Sequence, residues 1–199
     1  RDILGEGYLQ VAKEKGLSAE ELLSMEAEKV PVGSNGLMTV LDWLAPVDAR
    51  FKKGIMIGFD GRHTRGHIYR SILEAVALTM KKYLDEMTTE MGVKLDKLII
   101  TGGGSNSDLF MQIFADVFRV ETVRNEVNGA AALGAAICAA VAAGVYGTFD
   151  EAVQNMVRIK DSFTPIEANA EIYEKIFPIY TDITNHTDAI LKKSYEIFE

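Results

Sequence analysis

The chain has 199 residues, 48% hydrophobic and 25% charged, with only four prolines, a makeup that fits one large or two small globular domains and excludes disordered, collagen-like and low-complexity chains. With 29 acidic against 21 basic residues the net charge is −8 and the pI near 5.0, so the surface repels nucleic acid and anionic membranes. A lone cysteine, Cys138, forms no internal disulfide and sits in an alanine-rich stretch suited to a small buried thiol, which fits a reducing, cytoplasmic compartment.

Arg1 stands where a Met would, without a leader, and reads as a chain cut from something longer. Apolar residues at Ile3, Leu4, Tyr8 and Val11 predict a helix over Asp2 to Lys15, ended by Gly16. Ser18 and Glu21 form a capping-box pattern that opens a second helix from Ala19 to about Glu28. Two prolines and two glycines between Val30 and Lys53 mark an irregular segment with a short strand at Leu37 to Leu44. The glycine-bounded run Gly54 to Phe59 reads as a buried strand, and His67 to Met91 as a long amphipathic helix ended by Gly92.

Lys94 to Thr101 is strand-like and runs into Gly102, Gly103 and Gly104; Leu109 to Phe118 is helical by period and Val120 to Arg124 strand-like. From Val127 to Phe149 no residue is charged, but nine of the 14 residues Ala130 to Ala143 are alanine, whose small transfer energy favours a tightly packed internal helix over a membrane span. Thr148 caps a short helix, and Glu167 to Glu199 forms a long terminal helix with a bend expected near Pro178. The strand–helix alternation from Gly54 to Gly144 predicts an α/β domain with parallel strands.

Two stretches carry candidate chemistry. In LIITGGGSNSDLF a strand, three glycines and a helix start come together, where backbone can approach a ligand closely and free N–H groups face it. The spacing matches neither standard phosphate-loop fingerprint, and Asp108 in the first helical turn disfavours a terminal phosphate there; a ribose, base edge or α-phosphate suits it better. The plainer alternative is an ordinary strand-to-helix turn capped by Ser105 or Asn106. The second stretch, Asp60 to His67, offers Arg62 and Arg65 to an anion and His63 and His67 to a metal, but Gly66 breaks the helical spacing and the stretch reads as a solvated loop capping the next helix. No nucleophile elbow or Cys–His pair is present, so the residues show a nucleotide cradle without a catalytic base.

Taken together, GIMIGFDGRHTRGHIYRSILE, LIITGGGSNSDLFMQIFADVF and NEVNGAAALGAAICAAVAAG resemble, in order and spacing, the C-terminal domain of the FGGY carbohydrate kinases. The first departs from the family's second signature at Phe59, where Leu, Ile, Val or Met is usual. The resemblance implies an actin-like ATPase, ribonuclease-H-like α/β fold, with residues 1–199 forming a single nucleotide-binding domain and the N-terminal sugar-binding and catalytic domain absent; Arg1 and Asp2 match the Arg-Asp of a W-x-R-D helix.

It also implies ATP-dependent phosphorylation of a sugar hydroxyl, with a pentulose such as xylulose favoured, ATP or ADP as ligand and Mg²⁺ bridging its phosphates. Gly102, Gly103 and Gly104, with Asn106 and Ser107, are the implied nucleotide-binding residues; Ser107 and Asp108 fall where glycerol kinases carry Asn, and Asn106 stands next door as a substitute. Glu126 to Gly129 is assigned a supporting role in positioning the following helix. No catalytic or metal-binding residue is expected here, because the catalytic Asp precedes this segment in the family. The sugar is met mainly by the absent domain, no nucleic acid or membrane partner is expected, and a homodimer is compatible with the pattern. A non-kinase actin-like nucleotide module and an interaction domain without nucleotide remain as alternatives.

Overall fold

The computed structural model describes residues 5–198. The first two helices pack as a pair: α1 (Gly5–Glu14) buries Tyr8 and Ala12, one turn apart, against Leu22 and Leu23 of α2 (Ala19–Ala27). The Asp2 start expected for the first helix lies outside the described residues. The capping box forms as the sequence predicts: the Glu21 N–H donates to Ser18 Oγ at 3.1 Å, and the Ser18 N–H donates to Glu21 Oε2 at 2.7 Å.

A two-stranded antiparallel ribbon follows, β1 (Met38–Val40) with β2 (Ile55–Ile57). The apolar run from Gly54 is thus a short surface strand rather than a buried one, with Met56, Ile57 and Phe59 exposed. It ends at Gly58, where φ is +97° and a side-chain Cβ would lie 2.3 Å from the Gly36 carbonyl oxygen, so only glycine allows this crossing. α3 (Arg65–Met91) is the central helix and stops at Gly92 as expected.

The main sheet has the order β3–β4–β5: β3 (Lys97–Ile99) runs parallel to β4 (Glu121–Asn125), and β4 runs antiparallel to β5 (Ile159–Phe163). α4 (Asp108–Phe118) makes the crossover between the parallel strands. β3 is shorter than the run Lys94 to Thr101, and β5 escapes the sequence pattern because Lys160 and Asp161 break its apolar character.

The core lies among α3, α4 and α7 (Glu167–Phe198), where Leu78, Phe114, Phe118, Tyr173 and Tyr180 pack together. Phe114 sits between Phe110 and Phe118, with ring centroids 4.8 and 5.8 Å away. α7 continues through Pro178 as one helix.

The alanine-rich segment does form a helix, α5 (Ala130–Ala142), packed on α6 (Phe149–Met156), whose cap is Thr148. It is not the internal helix expected: Ile137 is its one buried residue and Cys138 is exposed. A methyl group per residue buries too little area to draw a helix inward on every face. No described helix is long and apolar enough to cross a membrane.

Candidate functional site

β3 leads into a backbone turn that only glycine can start. Gly102 has φ +89° and ψ −177°, a region closed to side chains. A single 3₁₀ turn, Gly103–Asn106, follows, and then Ser107 caps α4 by accepting the Phe110 N–H at 3.3 Å. The cap is therefore Ser107 rather than Ser105 or Asn106. Ser105 is buried and faces inward: its hydroxyl, 2.8 Å from both the Gly102 carbonyl and Asn128 Oδ1, shares one proton between two acceptors.

Two residues outside the turn hold it. Asn128 accepts the Gly102 N–H on its carbonyl at 3.2 Å and donates from Nδ2 to Asn106 Oδ1 at 3.1 Å. Arg124 of β4, 7% exposed, donates from Nη1 to the Ser105 carbonyl at 2.8 Å and pairs with both Asp161 and Asp108 at 2.7 Å. These charged partners keep the Arg124 pKa raised, the Asp161 hydrogen bonds most of all. Asp108 is thus an ion-paired residue at the helix start, not a bare anion.

The turn forms one wall of a cleft of about 680 Å³, within the range of small-molecule sites. α2 is the opposite wall, with Ser24 and Met25 and, just past its end, Glu28, while Tyr69 and Leu73 of α3 close the floor. The walls meet where Ser107 Oγ lies 3.5 Å from Ser24 Oγ. Gly103, Gly104, Asn106 and Ser107 line this cleft, whereas Gly102 does not.

The glycines differ in purpose. A Cβ on Gly103 would meet nothing within 4 Å, leaving its backbone open to a ligand, while one on Gly104 would lie 2.8 Å from the Phe110 ring. The lining also carries Glu20, Glu21, Glu28 and Asp108 and no Lys or Arg. Glu21 is held below the usual carboxylate range by the Ser18 backbone N–H and hydroxyl. Such a cleft accepts hydrogen bonds from an uncharged, donor-rich group and disfavours phosphate.

The stretch Asp60 to His67 lies elsewhere. Arg62 donates from its backbone and side chain to Asp60, drawing the Asp60 carboxyl down to about 2. Arg65 grips Glu26 at 2.7 and 2.9 Å. Both arginines are thus committed to carboxylates. His63 and His67 stack edge to face at 5.2 Å; the His67 ring accepts the Thr64 N–H and lies 3.1 Å from the Asn35 amide, so it closes the helix start. Among the described residues no three potential metal ligands come together.

Sequence reasoning missed Arg124 and Asp161, and gave Asn128 a lesser role than it has. An arginine within the strand-like run Glu121–Asn125 was the available signal for Arg124.

Residues 8–143 match the model of the FGGY family of carbohydrate kinases, C-terminal domain. The chain is 57% identical over 198 residues to an uncharacterized sugar kinase, YgcE, of Escherichia coli (strain K12), covering 99% of this chain and 40% of that protein. It is 30% identical over 173 residues to the xylulose kinase of Bacillus subtilis (strain 168), covering 85% and 34%.

Among solved structures, xylulose kinase from Rhodospirillum rubrum superposes with a TM-score of 0.76 at 28% identity, over 93% of this chain and 37% of that one. The chain spans about two fifths or less of the length of these relatives. The α/β, actin-like fold is that of the C-terminal half of such kinases, and the chain belongs to the FGGY family of carbohydrate kinases.

Proposed function

We propose that this chain is the nucleotide-holding domain of an ATP-dependent carbohydrate kinase that transfers the γ-phosphoryl group to a sugar hydroxyl. The observation that carries the reading is the cleft at Gly103, where open backbone faces donor-accepting side chains. The nucleoside end of ATP occupies this cleft, its ribose over Gly103 and its base toward Met25 and Tyr69. The phosphates point out of the cleft, whose lining carries four carboxylates. Asn106 and Ser107 supply side-chain hydrogen bonds where the turn meets α4.

Mg²⁺ neutralises the phosphates when bound. Among the described residues no three potential ligands come together to hold it. The carboxylate that takes the hydroxyl proton belongs to the sugar-binding part of the longer enzyme, which leaves residues 1–199 inactive alone. Relatives named as xylulose kinases support a pentulose as the acceptor. A kinase consuming ATP works in the cytoplasm, where ATP is held.

ADP titration calorimetry and thermal unfolding of the 199-residue chain and of Gly103→Asp test this. ADP should bind and stabilise the unaltered chain, because a ligand of the native state raises stability; the variant should lose that response. No stabilisation at millimolar ADP, or equal binding by both proteins, overturns the reading.

A further inference from the structure

The cleft reading leaves a buried ion pair unexplained. Arg70 and Glu74, 6% and 4% exposed, sit one turn apart on α3 with Nε and Oε1 2.9 Å apart. Burying two charges costs solvation that their attraction often only offsets, so stability alone is a weak reason to keep them. What the pair supplies is geometry. Arg70 Nη1 donates to the Ala27 and Val30 carbonyls at 3.3 and 2.8 Å, at the end of α2, where helix carbonyls lack internal donors.

Glu74 accepts the Gly33 N–H at 2.9 Å, the Ser34 hydroxyl at 2.8 Å and the Tyr173 hydroxyl at 2.9 Å. One rigid guanidinium thus fixes the distance from α3 to the last turn of α2, while its partner is itself held by Tyr173 of α7 and by Gly33 and Ser34. Residues 33–36 all have positive φ, Ser34 and Asn35 among them, so the chain leaving α2 follows a strained path. The same turn of α2 is gripped from outside by Arg65 on Glu26, with Gly66 so close that a Cβ would lie 3.0 Å from the Glu26 carbonyl oxygen.

α2 and its C-cap bring Met25 and Glu28 to the cleft, and Tyr69, next to Arg70, forms its floor. We propose that Arg70 is a positioning residue: it sets the α2 wall against the glycine turn, and so nucleotide affinity, without touching the nucleotide. This rests on the nucleotide reading above. Lysine cannot replace it, since one ammonium on a flexible stem does not span Glu74 and the α2 carbonyls together.

The test compares variants that loosen the same hub on different sides. Arg70→Lys and Arg70→Met release α2; Ser34→Ala and Tyr173→Phe weaken Glu74 but leave the Arg70 bonds to Ala27 and Val30. At a temperature well below every midpoint, the Arg70 variants should weaken ADP binding about tenfold, with faster amide exchange at residues 27–30. Ser34→Ala and Tyr173→Phe should stay within about twofold at a comparable loss of Tm. If Arg70→Met does not fold, Arg70→Lys carries the comparison. No ADP binding by the unaltered chain overturns the nucleotide reading and this inference with it; ADP binding that the Arg70 variants share unchanged overturns this inference alone.

Discussion

Arg124 and Asp161 face each other as register partners across β4 and β5 and are joined by two hydrogen bonds of 2.7 Å, from Nε and Nη2 to the two carboxylate oxygens. The fork locks the guanidinium so that its remaining nitrogen points at the Ser105 carbonyl under the glycine turn. A strand pair thereby sets the shape of a ligand-facing loop. Arg124→Met leaves that carbonyl without a charged donor and should cost about 1–3 kcal/mol in urea unfolding. Asp161→Asn should cost less, because Asp108 still faces Arg124 and Asp161 is partly solvated. ADP affinity should fall further in Arg124→Met, as calorimetry of both variants will read.

The three glycines should answer to alanine in three ways. Gly102→Ala forces a side chain into a glycine-only backbone region and should cost about 1–3 kcal/mol. Gly104→Ala presses on Phe110, which must turn aside, at about 1–3 kcal/mol for an overpacked site. Gly103→Ala meets open space without positive φ, so its stability should stay within about 0.5 kcal/mol while nucleotide binding weakens. Unfolding curves paired with ADP titrations separate the three; a Gly103→Ala protein that binds ADP unchanged removes Gly103 from the nucleotide site.

What could be read from the sequence follows the range of the interactions. The Ser18–Glu21 box, the stop of α3 at Gly92 and the glycine turn after β3 depend on residues a few positions apart, and each forms where its spacing predicts. The cleft does not, because its α2 wall lies some 80 residues before the turn it faces, as the Ser24–Ser107 contact shows. Arg124 and Asp161 are hidden for the same reason: only the β4–β5 pairing reveals that the two charges meet. The errors at Gly54 to Phe59 and at α5 have another cause. Apolar composition measures how well a segment tolerates burial, not whether a neighbour arrives to cover it.

Cys138 makes that last point measurable. On the exposed face of α5 it should react with a thiol reagent such as DTNB in the native protein, stoichiometrically and without denaturant. Cys138→Ser should change stability by less than about 0.5 kcal/mol, since no packed cavity is opened. A thiol that titrates only in urea would restore the buried helix read from composition.

The closing of α3 by His67 should make stability depend on pH. Burial, and then the neighbouring His63, hold the His67 pKa below its ordinary value of about 6.5. The unfolded chain therefore binds this proton at a higher pH than the folded one. The contribution is fully present above about pH 6.5 and is lost as pH falls below it, when the unfolded state gains the proton first. Asp60 acts in a separate window. Its carboxyl is drawn to about 2 by Arg62, so its contribution holds above the ordinary carboxylate value and disappears as pH falls toward 2. Urea unfolding at pH 7.5 and 5.5 should show the unaltered protein losing more stability than His67→Gln. Between pH 5 and 3, Asp60→Asn should flatten the curve instead. If His67→Gln loses as much stability as the unaltered protein between pH 7.5 and 5.5, the ring is not held neutral at the start of α3.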